Sequence, residues 1–165
     1  MFLVKDTSAA REARITQLAT DDPALALITA IIHVEWTLRR AIIALGSASN
    51  VEIRHKLGHC HGPAAYKQLW REEVTPRTNM RLPDVIRDWD GLLRAFRLRH
   101  TLVHGVAACS AAHAAPRIAW ALAAARDVRG FCADHGVDLD ARLPVRPQAC
   151  TKKPAQPGAS HAPVS

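Results

Sequence analysis

The sequence predicts an all-α protein, a bundle of about five helices followed by a disordered tail. Two observations exclude a β-rich fold, since the 165 residues contain neither an alternating β-branched run nor an Asn-Gly hairpin turn. A third favours helices, because Ala, Leu and Arg dominate segments in which apolar residues recur every three or four positions. The 48% hydrophobic content suffices for one core, so we assign residues 1–140 to a helical domain and residues 141–165 to the tail.

The sequence signals are weaker for the first helix than for the second. Residues 6–19 form a loosely periodic amphipathic segment. In the second helix Asp22 can cap the N-terminus, Pro23 suits the first helical position and Gly46 closes the segment. Its apolar residues fall on two faces, Leu25, Ile28, Ile32, Trp36, Ile42 and Ile43 on one and Leu27, Ile31, Val34, Leu38 and Leu45 on the other. Such a helix is expected to be central and contacted on several sides.

A broken helical region is predicted over residues 50–74, because Gly58 and the Gly62-Pro63 pair interrupt it. Its second half, PAAYKQLW, has three large side chains at positions that suit docking on the core. They are Tyr66, Leu69 and Trp70.

The next helix is predicted to begin near Pro83 and Asp84 and to stop before Gly105, a residue suited to the left-handed position after a helix. Its apolar stripe consists of Val85, Ile86, Trp89, Leu92, Leu93, Phe96, His100 and Val103. Because His100 lies on this stripe, the sequence favours a core histidine bonded to a backbone carbonyl over a role at a functional site.

A last amphipathic helix is predicted from Pro116 to Gly136. Its inward positions are Ile118, Leu122, Ala125, Val128 and Cys132. Beyond Leu143 the chain is rich in Pro, Ala, Ser and Lys and has almost nothing apolar to bury, which is typical of a disordered segment.

Charge and localisation signals narrow the classes of function. The chain has 22 basic and 15 acidic residues, a net charge of +7, which favours a polyanionic partner such as nucleic acid. The N-terminal apolar run is too short for a secretory signal, and the longest apolar run, residues 23–34, is too short to span a bilayer. We therefore expect a cytoplasmic protein without a membrane partner.

The cysteines and histidines do not indicate a metal centre. Four cysteines stand far apart without a C-x-x-C pair, so neither a zinc ribbon nor a disulfide framework is indicated. The His59-Cys60-His61 triplet could contribute to a transition-metal site, but a zinc site needs about four ligands and only this local cluster is visible. We expect no metal and no cofactor.

The stretch RHTLVHG places Arg99, His100 and His104 in the last turn of a strongly periodic helix. The spacing from Arg99 to His104 does not by itself indicate a catalytic pair, because RHKLGH has the same spacing between Arg54 and His59. That second pair falls where the predicted helix breaks, so its geometry is undefined. Residues five apart on an ideal helix differ by about 140°, so Arg99 and His104 converge on one phosphate only through a loosened last turn or a second chain.

These residues suit one chemistry in particular. Cleavage of RNA without a metal needs a base for the 2′-hydroxyl proton, an acid for the leaving 5′-oxygen and positive charge over the phosphate. Histidine can be base or acid near neutral pH, and arginine can bind two phosphate oxygens. Arg94 and Arg97 either form the solvated side of the helix or line a groove for the substrate's phosphates.

RLRHTLVHG resembles the signature of the HEPN superfamily, small helical domains with an arginine, a polar residue, three further residues and a histidine. Arg99, His100, His104 and Gly105 match that signature, and the likeness extends over most of residues 6–136. The resemblance implies a metal-independent endoribonuclease of toxin or phage-defence type, with RNA as substrate. It also implies a homodimer whose composite site contains Arg99 and His104 of both chains. The alternative is a non-catalytic HEPN domain that binds a nucleotide or pairs with an antitoxin or a nucleotidyltransferase.

Two further residues are candidates for supporting roles. His100 would orient Arg99 or bond a ribose. Glu35 lies in an otherwise apolar helix and needs a cationic or donor partner if it faces inward. A salt bridge to Arg39 or Arg40, one turn on, is favoured for Glu35 over a role at the site.

Overall fold

The computed structural model describes residues 6–105 and 109–146, which contain eight α-helices and no strand. The helices are α1 (Ser8–Asp21), α2 (Pro23–Leu45), α3 (Asn50–Gly58), α4 (Gly62–Glu73), α5 (Thr75–Thr78), α6 (Leu82–Val85), α7 (Trp89–Val103) and α8 (Ala111–Asp134). The all-α prediction is confirmed, but the predicted number of about five helices is too low, because breaks in the chain make α3 to α6 separate helices. None of the helices described has the length and apolarity needed to cross a lipid bilayer.

Helix α2 is the centre of the bundle and packs against α1, α3, α4, α7 and α8, as its two apolar faces predict. The Asp22 side chain caps its first turn by accepting from the Leu25 amide at 3.0 Å. The face with Leu27, Ile31, Val34 and Leu38 is fully buried. The other face is only partly covered, since Leu25 and Ile32 are 46% and 43% exposed.

The C-terminal end of α2 is capped by two distant arginines. Arg146 donates hydrogen bonds to the carbonyl oxygens of Ile43 and Ala44, and Arg77 donates to that of Leu45. These carbonyls have no partner within the helix, and positive charge is favourable at this end of the helix dipole. Residues 141–146 of the predicted tail thus reach this end of α2 through Arg146. Residues 147–165 of the predicted tail lie outside the described residues.

Helix α7 begins at Trp89, not near Pro83, because the chain leaves the helical path after α6 and Asp88 makes a new N-cap. The Asp88 carboxylate accepts from the Gly91 amide at 2.7 Å. At the other end the prediction is confirmed, since Gly105 has a φ of +66° just beyond the helix.

Helix α8 begins earlier than predicted. Ser110 is its N-cap, and its side chain accepts from the His113 amide at 3.3 Å. Pro116, the predicted first residue, lies inside the helix at an exposed position. The five predicted inward residues of this helix are all buried, and Gly136 follows the helix with a φ of +73°, as expected.

A buried ionic cluster joins α1, α2, α8 and residue 140. Arg11 is 2% exposed, and its Nε donates to Nδ1 of the fully buried His33 at 3.3 Å. Asp140 accepts from the Arg11 guanidinium at 3.2 Å. On the other side of His33, Nε2 lies 3.7 Å from Glu12 Oε1. Glu12 is also paired with Arg126 at 2.7 Å, so the cluster contains both signs of charge.

This environment keeps His33 uncharged. The pKa of His33 is lowered to about 4, chiefly by burial and next by the positive charge of Arg11. In the unfolded chain a histidine has a pKa of about 6.5, so the unfolded state takes up this proton first as the pH falls. The contribution of neutral His33 to stability is therefore complete above about pH 6.5 and is lost progressively as the pH falls toward 4.

We predict that the free energy of unfolding decreases by about 2 kcal/mol between pH 7 and pH 5 because of His33. His33→Gln, which keeps a side-chain acceptor and donor, should remove most of this decrease. Urea unfolding followed by circular dichroism at the two pH values measures the effect. The exposed His113→Gln is the matched control and should keep the wild-type slope. An equally steep decrease in His33→Gln would contradict the assignment.

Candidate functional site

The last turns of α7 place the three motif residues in different surroundings. Arg99 is partly buried, whereas His100 is exposed and His104 is the exposed C-cap residue. The prediction that His100 is a core histidine is therefore wrong. His100 is exposed because of the register of α7. The inward line of this helix, the positions that face the core, consists of Leu92, Ala95, Phe96, Arg99 and Leu102, while Val103 is 51% exposed.

A cavity of about 730 Å³ lies between α2, the start of α4 and α7. It combines apolar walls with a carboxylate, three arginines and two histidines, a mixture typical of ligand sites. Its lining residues are Glu35, Arg39, Cys60, His61, Gly62, Pro63, Leu93, Phe96, Arg97, Arg99, His100 and Thr101.

Arg99 leaves one donor unsatisfied at this cavity. Its Nε is buried and has no hydrogen-bond partner among the described residues. An unpaired buried N–H costs free energy comparable to a lost hydrogen bond, so this atom favours an acceptor that enters the cavity. A phosphate oxygen is the acceptor that a guanidinium binds best.

Glu35 lies at the same cavity as Arg99. Burial raises the pKa of Glu35, and the positive charges of Arg99 and Arg39 oppose that rise. The favoured prediction, a salt bridge from Glu35 to Arg39 or Arg40, is wrong for the residues described. Arg39 instead donates to the Tyr66 hydroxyl at 2.9 Å and to the Cys60 carbonyl at 3.3 Å.

The side chain of Arg40, also on α2, contacts the chain segment that follows α8. Its guanidinium donates to the carbonyl oxygens of Leu139 and Ala141, away from Glu35. Glu35 is thus left with no ion pair within 4.0 Å among the described residues and with cavity arginines as its electrostatic neighbours. The carboxylate is available to orient Arg99 or to accept a hydrogen bond from a ligand.

His104 lies beside the cavity but does not line it. Its ring packs on the ring of His100 with centroids 4.3 Å apart and planes inclined at 57°. His100 lines the cavity, so the three side chains form a series from Arg99 inside to His104 outside. Within one chain Arg99 and His104 do not converge on one point, as their spacing on a helix predicts.

The second Arg-x4-His pair has no place in this site. Helix α3 ends at Gly58, where the break is predicted, so Arg54 lies within the helix and His59 just beyond it, and neither residue lines the cavity. His59 packs on His55 with ring centroids 5.3 Å apart, while His61 turns to the cavity. In the part of the chain that the structure describes, no three His, Cys, Asp or Glu side chains form a set that could hold a metal ion.

Some polar residues that line the cavity do not belong to the predicted site, among them His61, Arg39 and Thr101. Arg39 carries a local signal, because it lies one turn after Glu35 on α2. No local signal predicts that His61 lines the cavity, because this depends on how the start of α4 packs beside α7, which no local pattern encodes.

Comparison with known proteins identifies no relative. No protein-family model matches the chain, and neither a curated protein nor a solved structure matches it.

We predict that Tyr66, the one tyrosine of the chain, titrates far above its ordinary pKa of about 10. Burial raises the pKa of Tyr66 to about 12, and the negative charge of Glu35 adds to the rise. Ultraviolet titration of the tyrosinate should show this, and Glu35→Gln should lower the midpoint. Glu72→Gln, which removes an exposed carboxylate from α4, should leave it unchanged. Circular dichroism at each pH verifies that the fold persists, and a wild-type midpoint near 10 in folded protein would contradict the geometry.

Proposed function

We propose that this protein is a metal-independent endoribonuclease of toxin or phage-defence type, in which Arg99 and His104 of two protomers form one composite site. The observation that carries the proposal is the unpaired, buried Nε of Arg99 at a cavity that also contains Glu35 and His100. A partly buried guanidinium with an unpaired donor is suited to a phosphate, and two histidine rings for proton transfer, those of His100 and His104, pack together on the same end of α7.

The reaction assigns a role to each side chain. One His104 accepts the proton of the 2′-hydroxyl as that oxygen attacks the phosphorus. The bond from phosphorus to the 5′-oxygen breaks, and a protonated histidine donates its proton to that oxygen. The products are a 2′,3′-cyclic phosphate and a 5′-hydroxyl end. Arg99 stabilises the charge on the non-bridging oxygens, and Glu35 and His100 orient Arg99.

Two protomers are part of the proposal because one chain offers His104 outside the cavity that Arg99 lines. A second copy of α7 would bring a second His104 and a second Arg99 to the same phosphate, supplying both the base and the acid. The exposure of His104 and Val103 at this end of α7 leaves room for such a contact. RNA would then be cleaved only by the dimer.

The resemblance of RLRHTLVHG to the HEPN signature supports this reading and suggests its biological setting. In that setting the chain would have an antitoxin or a nucleotidyltransferase as partner. The net charge of +7 is in keeping with RNA as the substrate.

A second candidate function is favoured by one observation, the position of His104 outside the cavity. A cavity of about 730 Å³ with an arginine donor and apolar walls can hold a nucleotide without any cleavage. The protein would then be a non-catalytic binding domain. Stabilisation by nucleotides that depends on Arg99 but not on His104 would favour this function.

We predict that the purified protein cleaves total cellular RNA in the presence of EDTA. Arg99→Ala and His104→Ala should each reduce the rate by roughly a hundredfold or more, since the first removes the phosphate ligand and the second removes the acid–base group. Denaturing electrophoresis of the RNA measures the rate. The expected product ends are a cyclic phosphate and a 5′-hydroxyl.

The matched control is the double variant Arg54→Ala/His59→Ala, which removes the same pair of residues at the same spacing outside the cavity. It should cleave RNA like the wild type. Sedimentation velocity on all variants verifies that the dimer persists. Undiminished cleavage by a pure, folded His104→Ala preparation would refute the ribonuclease site.

A further inference from the structure

A second, smaller depression lies on the outer side of α7, between α7 and the start of α8. It has a volume of about 220 Å³ and is lined by Arg94, Arg97, Leu98, Thr101, His113 and Arg117. Arg97 and Thr101 also line the large cavity. The two depressions are therefore neighbours across one turn of α7, and a single extended ligand can occupy both.

An aromatic ring lies at the edge of this depression. The guanidinium carbons of Arg94 and Arg117 are each 5.9 Å from the ring centre of Trp120. The ring is held in place by the close approach of α8 to Gly91 of α7, where a Cβ atom would lie 2.7 Å from Cγ of Trp120. Arg117 is fixed as well, since it donates to the His113 carbonyl at 2.7 Å. The group is thus ordered before any ligand binds.

No described acidic residue pairs with the arginines of this surface. The described residues include all 15 acidic side chains, and none of these lies within ion-pair distance of Arg94, Arg97 or Arg117. Two other exposed arginines are paired, Arg81 with Asp84 at 2.7 Å and Arg87 with Asp127 at the same distance. Unpaired arginines clustered around an aromatic ring are typical of sites for single-stranded nucleic acid.

We propose that this surface, defined by Arg94, Arg97, His113, Arg117 and Trp120, binds the single-stranded RNA segment next to the phosphate that is cleaved. The arginines bind the backbone phosphates, and one unpaired base stacks on Trp120. A duplex is excluded because its bases stay stacked on each other and offer no free face to the ring. The assignment of the strand to substrate rests on the proposed function, whereas the binding site itself does not.

The test measures binding separately from cleavage. The probe is a fluorescein-labelled single-stranded RNA of about 12 nucleotides with 2′-O-methyl riboses, which lack the attacking hydroxyl. Fluorescence anisotropy in EDTA over a range of salt concentrations gives the dissociation constant and its salt dependence. The variants are Arg117→Ala, Arg117→Gln, Trp120→Leu and Trp120→Phe. Arg54→Ala, an exposed arginine on α3 that lines neither depression, is the matched control.

Both arginine variants should weaken binding by roughly tenfold and reduce the slope of log K against log salt by about 0.7, the value for one phosphate contact on a single strand. Trp120→Leu should weaken binding to a similar extent without changing the slope, and Trp120→Phe should restore most of the affinity. Arg54→Ala should bind like the wild type. Because Arg117 contributes little to the core, its variants test the site even if Trp120→Leu does not fold.

Three results would overturn the proposal: wild-type binding to a duplex of equal length that is as tight as to the single strand, no loss in either arginine variant, or an equal loss in Arg54→Ala. Failure of the proposed function is recognised independently. If RNA is never cleaved but the variants bind as expected, the ribonuclease assignment fails and the single-strand site stands. If RNA is cleaved but Arg117→Ala binds and cleaves like the wild type, only the site fails.

Discussion

The enclosure of α2 is the constraint on which the rest of the structure depends. This helix is apolar around most of its circumference, so four other long helices and α3 must surround it. The polar side chains on such a helix cannot all reach open water, and each needs a partner from a different neighbour. His33 and Arg40 contact α1 and residues 139–141, whereas Glu35 and Arg39 face α4 and α7. The core and the candidate site therefore follow from the same burial.

The two polar sides of α2 differ in how completely their charges are satisfied. His33 and Glu35 are separated by about 200° around the helix axis. In the ionic cluster, His33 Nε2 lies 3.7 Å from Glu12 Oε1, and the Arg129 guanidinium lies 2.8 Å from the same oxygen. At the cavity, Arg99 Nε is buried without a hydrogen-bond partner, and Glu35 is an electrostatic neighbour of Arg99. The side of α2 with His33 is thus a network of charges within the protein. The side with Glu35 has an unpaired arginine donor and a carboxylate that a ligand can contact.

The sequence predicts the elements whose signals are local. Asp22, Pro23 and Gly46 bound α2 because capping and the φ preference of proline act within one turn. The start of α7 was misplaced because the apolar spacing continues through α6, although Asp88 carries an ordinary N-cap signal. That error shifted the expected inward line and put His100 in the core. The contribution of His61 to the cavity and the place of Trp120 against Gly91 depend on packing between helices, which periodicity does not encode.

The last turn of α7 places the residues of the short motif on different sides of the helix. Arg99 is on the inward line of the helix, while His104 caps the helix and is exposed, with the ring of His100 between them. Under the proposed function, an arginine on the inward line and a histidine at the surface act on one phosphate when a second copy supplies the complementary pair. Under the proposed function the helix register itself makes cleavage depend on assembly. A monomer would retain a cavity that binds phosphate and would lack the proton transfer needed to break the RNA.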